Sequence, residues 1–141
     1  MSVRTAGLAA TLFLLVAGAA NAASLHFTAQ LRGADEVPPN SSSGTGEVSA
    51  DLDTATKTFS YMVTFSGLSG PAMAAHFHGP AAPGANAPPI IPLMKPVSPA
   101  KGTAPLTDAQ IADLEAGKWY FNIHTMAHPG GEIRGQLEQK P

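Results

Sequence analysis

Apolar and polar residues alternate along most of this chain with a period of two, the signature of half-buried strands. In "SLHFTAQL" (24–31), Leu25, Phe27, Ala29 and Leu31 face one way and His26, Thr28 and Gln30 the other. "GEVSADLD" (46–53) repeats the pattern with Val48, Ala50 and Leu52. After the connector "TATK", "TFSYMVTFSGL" (58–68) sets Phe59, Tyr61, Val63 and Phe65 on one face, so the two segments predict a β-hairpin. "AMAAHFH" (72–78) places Met73, Ala75 and Phe77 opposite Ala72, Ala74, His76 and His78. "PIIPLM" (89–94) reads as an edge strand, because its prolines cannot donate to a central ladder. "KWYFNIH" (118–124) alternates most regularly, with Trp119, Phe121 and Ile123 against Tyr120, Asn122 and His124. "EIRGQLE" (132–138) keeps Ile133 and Leu137 in phase if Gly135 marks a bend or bulge.

The period changes once. "LTDAQIADLEAG" (106–117) predicts a helix with Thr107 as N-cap and Gln110 three residues later, a capping box. Leu106 and Ile111 suit a hydrophobic staple, and Gly117 suits the stop. "PPNSSSGTG" (38–46) and "GPAAPGANAPP" (79–89) read as loops. Six or seven short strands with one connecting helix predict an all-β fold, an antiparallel Greek-key β-sandwich or flattened barrel.

The first 22 residues follow another rule. Arg4 precedes an apolar run from about Leu8 to Ala19, and "ANA" (20–22) fits a signal-peptidase site. This predicts a signal peptide over 1–22, export to the periplasm or beyond, and one domain over 23–141. Without Arg4 the chain carries 7 basic and 10 acidic residues, a formal charge of −3. No basic patch supports nucleic-acid binding, and no membrane span remains after signal cleavage. With no cysteine, thiolate zinc sites are excluded and any metal must be held by His and carboxylate.

Five histidines lie in the exported part: His26, His76, His78, His124 and His128. On a strand, His76 and His78 point to one side about 6 to 7 Å apart, close enough to reach one ion. His124 ends a second strand and His128 follows in a turn that can fold back. A thiol-free imidazole cluster suits Cu(II) or Zn(II). The competing interpretation is a solvated strand face, because spacing does not prove convergence. His26 reads as a polar-face residue. Glu132 and Arg134 share a face, either as an exposed ion pair or as groups that orient a ligand histidine. Asp35 and Glu36 read as turn residues. No P-loop, nucleophile elbow or dinucleotide fingerprint is present.

"LRGADEVPPNSSSGTGEV", "AAHFHGPAAPGANAPPI" and "GKWYFNIHTMAHPGGEIRGQL" together resemble the CHRD domain, first named for the chordin repeats, across about Leu25 to Leu137. That resemblance implies an extracellular module. A looser resemblance, to the copper site of copper/zinc superoxide dismutases, implies a Greek-key barrel. In it His76, His78 and His124 would hold the metal and Arg134 would guide an anion. The chain departs from that pattern in having no bridging His, no zinc subsite and no disulfide cysteines. The expectation is an exported metal-binding domain, copper first and zinc second. Its ligands are His76, His78 and His124, with His128 or water completing the shell, and an open position would admit superoxide. The alternative is a structural or protein-interaction module outside the cytoplasm.

Overall fold

The computed structural model describes residues 23–141; the expected signal peptide, 1–22, lies outside them. Among the described residues nine strands form one sheet: β1 (Ser24–Arg32), β2 (Thr45–Asp53), β3 (Thr58–Ser66), β4 (Ala74–His78), β5 (Pro89–Met94), β6 (Ala100–Pro105), β7 (Tyr120–His124), β8 (Ile133–Gln136) and β9 (Glu138–Lys140). Their order is β5-β4-β7-β8-β1-β2-β3-β6, with β9 also pairing β1, and every pairing is antiparallel.

The sheet curls until it nearly closes. Strands β3 and β4 are far apart in the sheet order, yet their inward rings touch. The centroids of Phe59 and Phe77 are 5.3 Å apart, and those of Tyr61 and Phe77 are 4.9 Å apart. Trp119 and Phe121 complete this aromatic interior with Phe77. The predicted inward sets are buried together: Phe27, Ala29 and Leu31; Val48, Ala50 and Leu52; Phe59 and Val63; Ala75 and Phe77; Phe121 and Ile123; Ile133 and Leu137. Burial of such rings dominates the stability of a disulfide-free domain of this size. Among the described residues, no helix is long and apolar enough to cross a membrane.

The helix α1 (Asp108–Glu115) forms as its capping signals predict. Thr107 Oγ1 accepts from the Gln110 backbone N–H, and the Gln110 side chain accepts from the Thr107 backbone N–H. Leu106 and Leu114 reach the core.

Three features depart from the sequence expectation. Strand β6, "AKGTAP", was not anticipated, since it carries no large apolar residue. Its pairing with β3 creates it, and Gly102 leaves the room that the Tyr61 phenol occupies. The last segment is split, with β8 and β9 separated by buried Leu137. Gly135 itself makes no bulge: it stays in register with Phe121, and its lack of a Cβ lets the Gln30 carbonyl of β1 approach. Finally, Glu132 and Arg134 are not an exposed pair; both are buried and each has other partners.

Candidate metal centre

Alternation decides which side chains meet outside the barrel. Phe77 and Ala75 of β4 point into the core, so Ala74, His76 and His78 point out. On β7, Phe121 and Ile123 point in, and Tyr120, Asn122 and His124 point out. The register pairs Ala74 with His124, His76 with Asn122 and His78 with Tyr120. Three imidazoles from two neighbouring strands therefore share one patch. The His76 ring centroid is 5.3 Å from that of His78 and 4.9 Å from that of His124. One nitrogen from each of the three rings lies within 4.8 Å of the others.

Hydrogen bonds set the tautomers. His78 Nδ1 donates to the Ala87 carbonyl at 2.9 Å, and His124 Nδ1 donates to the Pro129 carbonyl at 2.9 Å. A carbonyl oxygen only accepts, so each neutral ring keeps its proton on Nδ1 and leaves Nε2 with a lone pair. His76 Nδ1 then donates to His124 Nε2 at 3.0 Å, which frees His76 Nε2. Backbone carbonyls behind ligand imidazoles are the usual means of orienting them toward a metal. Desolvation, followed by the neighbouring rings, lowers the His76 pKa. Desolvation also leads for His78 and prevails over the hydrogen bonds from Ala87 and Asn122 that raise it. Neutral imidazole is the metal-binding form.

Behind His78 lies a buried polar chain. The His78 ring stacks on Tyr120 at 4.6 Å with a 4° interplanar angle, and the Arg134 guanidinium carbon is 3.4 Å from the Tyr120 ring centroid. Arg134 Nη1 donates to Asn86 Oδ1 at 3.0 Å and Nη2 to the Ala85 carbonyl at 2.6 Å. Tyr120 Oη donates to the Ala87 carbonyl. Gln136 Nε2 donates to the Ala81 carbonyl. These contacts fasten the Pro-rich loop 79–88 over the outer face at its His78 end. His78 is only 8% exposed as a result, whereas His76 and His124 are half-buried and border the open end.

Asn122 links His78 to Glu36. Its Oδ1 lies 2.9 Å from His78 Nε2, and its side chain lowers the pKa of the Glu36 carboxyl. With Nδ1 facing the Ala87 carbonyl and Nε2 facing Asn122 Oδ1, the ring meets an acceptor on both sides, so a lone pair on Nε2 requires the Asn122 amide to turn away or flip. Glu36 is 5% exposed and its Oε1 has no partner. Burial raises its pKa to about 7, against the opposing pull of Arg134, Asn122 and the Val37 backbone. Glu36 read as a turn residue in the sequence, and no local signal marked it. Asn122 shares the alternation phase of His124, so that signal was present.

Other residues singled out from the sequence fall elsewhere. His26 Nδ1 pairs with Asp51 across β1 and β2 at 2.9 Å, an exposed contact. His128 is outside the three-ring group, and its backbone closes the 125–131 turn through Thr125 and Gly131. Arg134 is 2% exposed, its guanidinium held by Asn86 and Ala85. Glu132 orients no histidine ring; it accepts from Ser42, Ser69 and Thr125. A hollow of about 680 Å³ lies beside Glu36 and Arg134, and none of the histidines lines it.

A thiol-free antiparallel barrel with a carbonyl-oriented imidazole cluster on its outer face is the class that fold and site define. The CHRD domain family model matches residues 27–137, and the chain belongs to that family. No curated protein and no solved structure matches the chain.

Proposed function

We propose that this CHRD domain works outside the cytoplasm and binds one transition-metal ion through His76, His78 and His124. Copper is the first choice and zinc the second, since a thiol-free, all-imidazole donor set suits both. The observation that carries the reading is the pair of carbonyl anchors. Ala87 and Pro129 hold the Nδ1 protons of His78 and His124, leaving ring nitrogens of all three histidines within 4.8 Å of one another. Ligand nitrogens about 2.0–2.1 Å from a shared ion lie closer together than that. Small ring rotations of His76 and displacement of the Asn122 amide from His78 Nε2 would complete the convergence.

Export is supported by the leader-like first 22 residues and by the extracellular character of the family. Water is favoured over His128 as the remaining ligand, because His128 stands outside the group. Copper with an open position would also be able to dismutate superoxide, accepting an electron from one superoxide ion and returning it to a second, so that two superoxide ions and two protons give dioxygen and hydrogen peroxide. Arg134 is engaged by Asn86, Ala85 and the Tyr120 ring, so binding rather than turnover is the reading proposed.

The test is calorimetric titration of the purified, chelator-stripped protein with Cu(II) and Zn(II), beside the His76→Ala/His78→Ala variant. One-to-one binding that is lost in the variant is expected, and a superoxide-consumption assay on the copper-loaded protein then decides turnover. Binding that is absent, or equal in both proteins, would sink the metal reading and leave a structural or protein-interaction module.

A further inference from the structure

All four methionines among the described residues, Met62, Met73, Met94 and Met126, are exposed, and with Val97 they make up the exposed large hydrophobic side chains. Methionine is ordinarily among the more buried residue types. Met94 lies in register with the open end of the imidazole cluster, and Met126 follows its last strand. On β5, Ile91 and Leu93 pack on the core, so Pro92 and Met94 face outward, on the same side of the sheet as His76. Met94 pairs with Ala74, and Ala74 pairs with His124, so the three residues form one row across β5, β4 and β7. Alanine in the middle of that row leaves the space between Met94 and His124 open. Met94 and His124 lie two strand intervals apart, about 10 Å, and an unbranched thioether chain with three rotatable bonds can lean across the intervening alanine toward the ring. Met126 follows His124 by two residues and is 80% exposed; Met94 is 75% exposed. The other end of the cluster, at His78, is closed by the loop.

We propose that Met94, together with Met126, adds thioether ligation to the histidine cluster and adapts it to Cu(I). The inference rests on the histidine reading above and deepens it. Thioether sulfur is a soft donor that selects Cu(I), whereas imidazole serves Cu(II) and Zn(II) without it. The cluster would thus accept copper in either oxidation state, with the methionines engaged only in the reduced one. No electron transfer by the protein is implied; the ion arrives already reduced.

The experiment is anaerobic competition for Cu(I) between the full protein and the chromophoric chelator bicinchoninate, paired with Cu(II) titration of the same samples. Met94→Leu/Met126→Leu keeps volume and apolarity while removing both sulfurs, and Met62→Leu on β3 is the control. The expected result is a loss of at least about ten-fold in Cu(I) affinity in the double variant, with Cu(II) affinity unchanged, since each oxidation state tests a different donor type. Sulfur scattering in the X-ray absorption spectrum of the Cu(I) form should vanish with it. Unchanged Cu(I) affinity in the double variant, beside copper binding that disappears in His76→Ala/His78→Ala, would overturn the methionine inference alone. Equal losses for Cu(I) and Cu(II) would also overturn it, by showing a structural effect. No binding of either ion by the unaltered protein would remove the histidine reading beneath it.

Discussion

Glu36 and Glu132 are both buried acids, and Gly131 stands between them: it precedes Glu132 in the chain, and a Cβ on it would collide with the Glu36 carboxyl. Their surroundings drive them in opposite directions. Burial raises the Glu132 pKa, but donors more than offset it. Ser69 gives Oγ at 2.6 Å and its backbone N at 2.7 Å, Thr125 gives Oγ1 at 2.5 Å and Ser42 gives Oγ at 2.7 Å, and the pKa falls to about 2. Glu36 has an orphan oxygen, and its pKa rises to about 7. A satisfied buried acid ties segments together, here the loops at Ser42 and Ser69 to the turn at Thr125. An unsatisfied one keeps a cost that a purely structural site would remove. The difference separates a structural knot from the polar chain that runs through Asn122 to His78.

The largest effect should come from untying the knot. Glu132→Ala leaves buried donors without an acceptor and should cost about 3–5 kcal/mol, read by urea denaturation near neutral pH. Its folded pKa lies below the unfolded value, so its contribution is present above about pH 4.5 and lost as pH falls toward 2. A loss below about 1 kcal/mol would erase the contrast between the two acids.

Glu36 should behave in the opposite sense. Its folded pKa is raised, so the folded state holds the proton more tightly, and stability falls as pH rises from about 4.5 through about 7. The accumulated loss is on the order of 3 kcal/mol by pH 8. Glu36→Gln cannot ionise and should lack this decline, unfolding at a higher denaturant concentration than the natural protein at pH 8 and at nearly the same one at pH 5. Parallel pH profiles for the two proteins would show that Glu36 is ionised in the fold throughout.

Gly131→Ala probes the ground between the acids. The glycine has φ 131°, and an added Cβ meets the Glu36 carboxyl. A cost of about 1–3 kcal/mol is expected from the backbone conformation and the collision together. Adding Glu36→Ala should recover the part due to collision; a double-mutant cycle with no coupling would place the whole cost in the backbone.

The smallest effect belongs to the rings. The pKa values of His76 and His78 are lowered, chiefly by desolvation, so the folded state binds fewer protons there. Their contribution is present above about pH 6.5, the ordinary histidine value, and is lost as pH falls below it. The metal-free His76→Ala/His78→Ala variant should therefore lose less stability between pH 7.5 and pH 5 than the natural protein. An equal or steeper loss would contradict neutral, desolvated imidazoles.

Much of the fold was legible because a strand reports its two faces through a period of two. Phe77 and Ala75 inward and His76 and His78 outward could be read from "AAHFH" alone, as could Asn122 and His124 from "YFNIH". The helix was legible because Thr107 and Gln110 cap it through local hydrogen bonds. Strand β6 was not, because "AKGTAP" has no pattern of its own and becomes a strand by pairing with β3.

Local chemistry thus determined on its own that this chain would form an antiparallel all-β domain without disulfides, with histidines on the outer faces of two strands. Only the tertiary structure decided that β4 and β7 are neighbours in a register that sets His124 beside His76. It alone buried Arg134 against Tyr120, enclosed Glu36 beside Asn122 and gave Glu132 its donors. Side-chain direction along a strand depends on adjacent residues, whereas burial, hydrogen-bond partners and pKa depend on segments remote in the chain, as in the bond from Ser42 to Glu132, 90 residues apart.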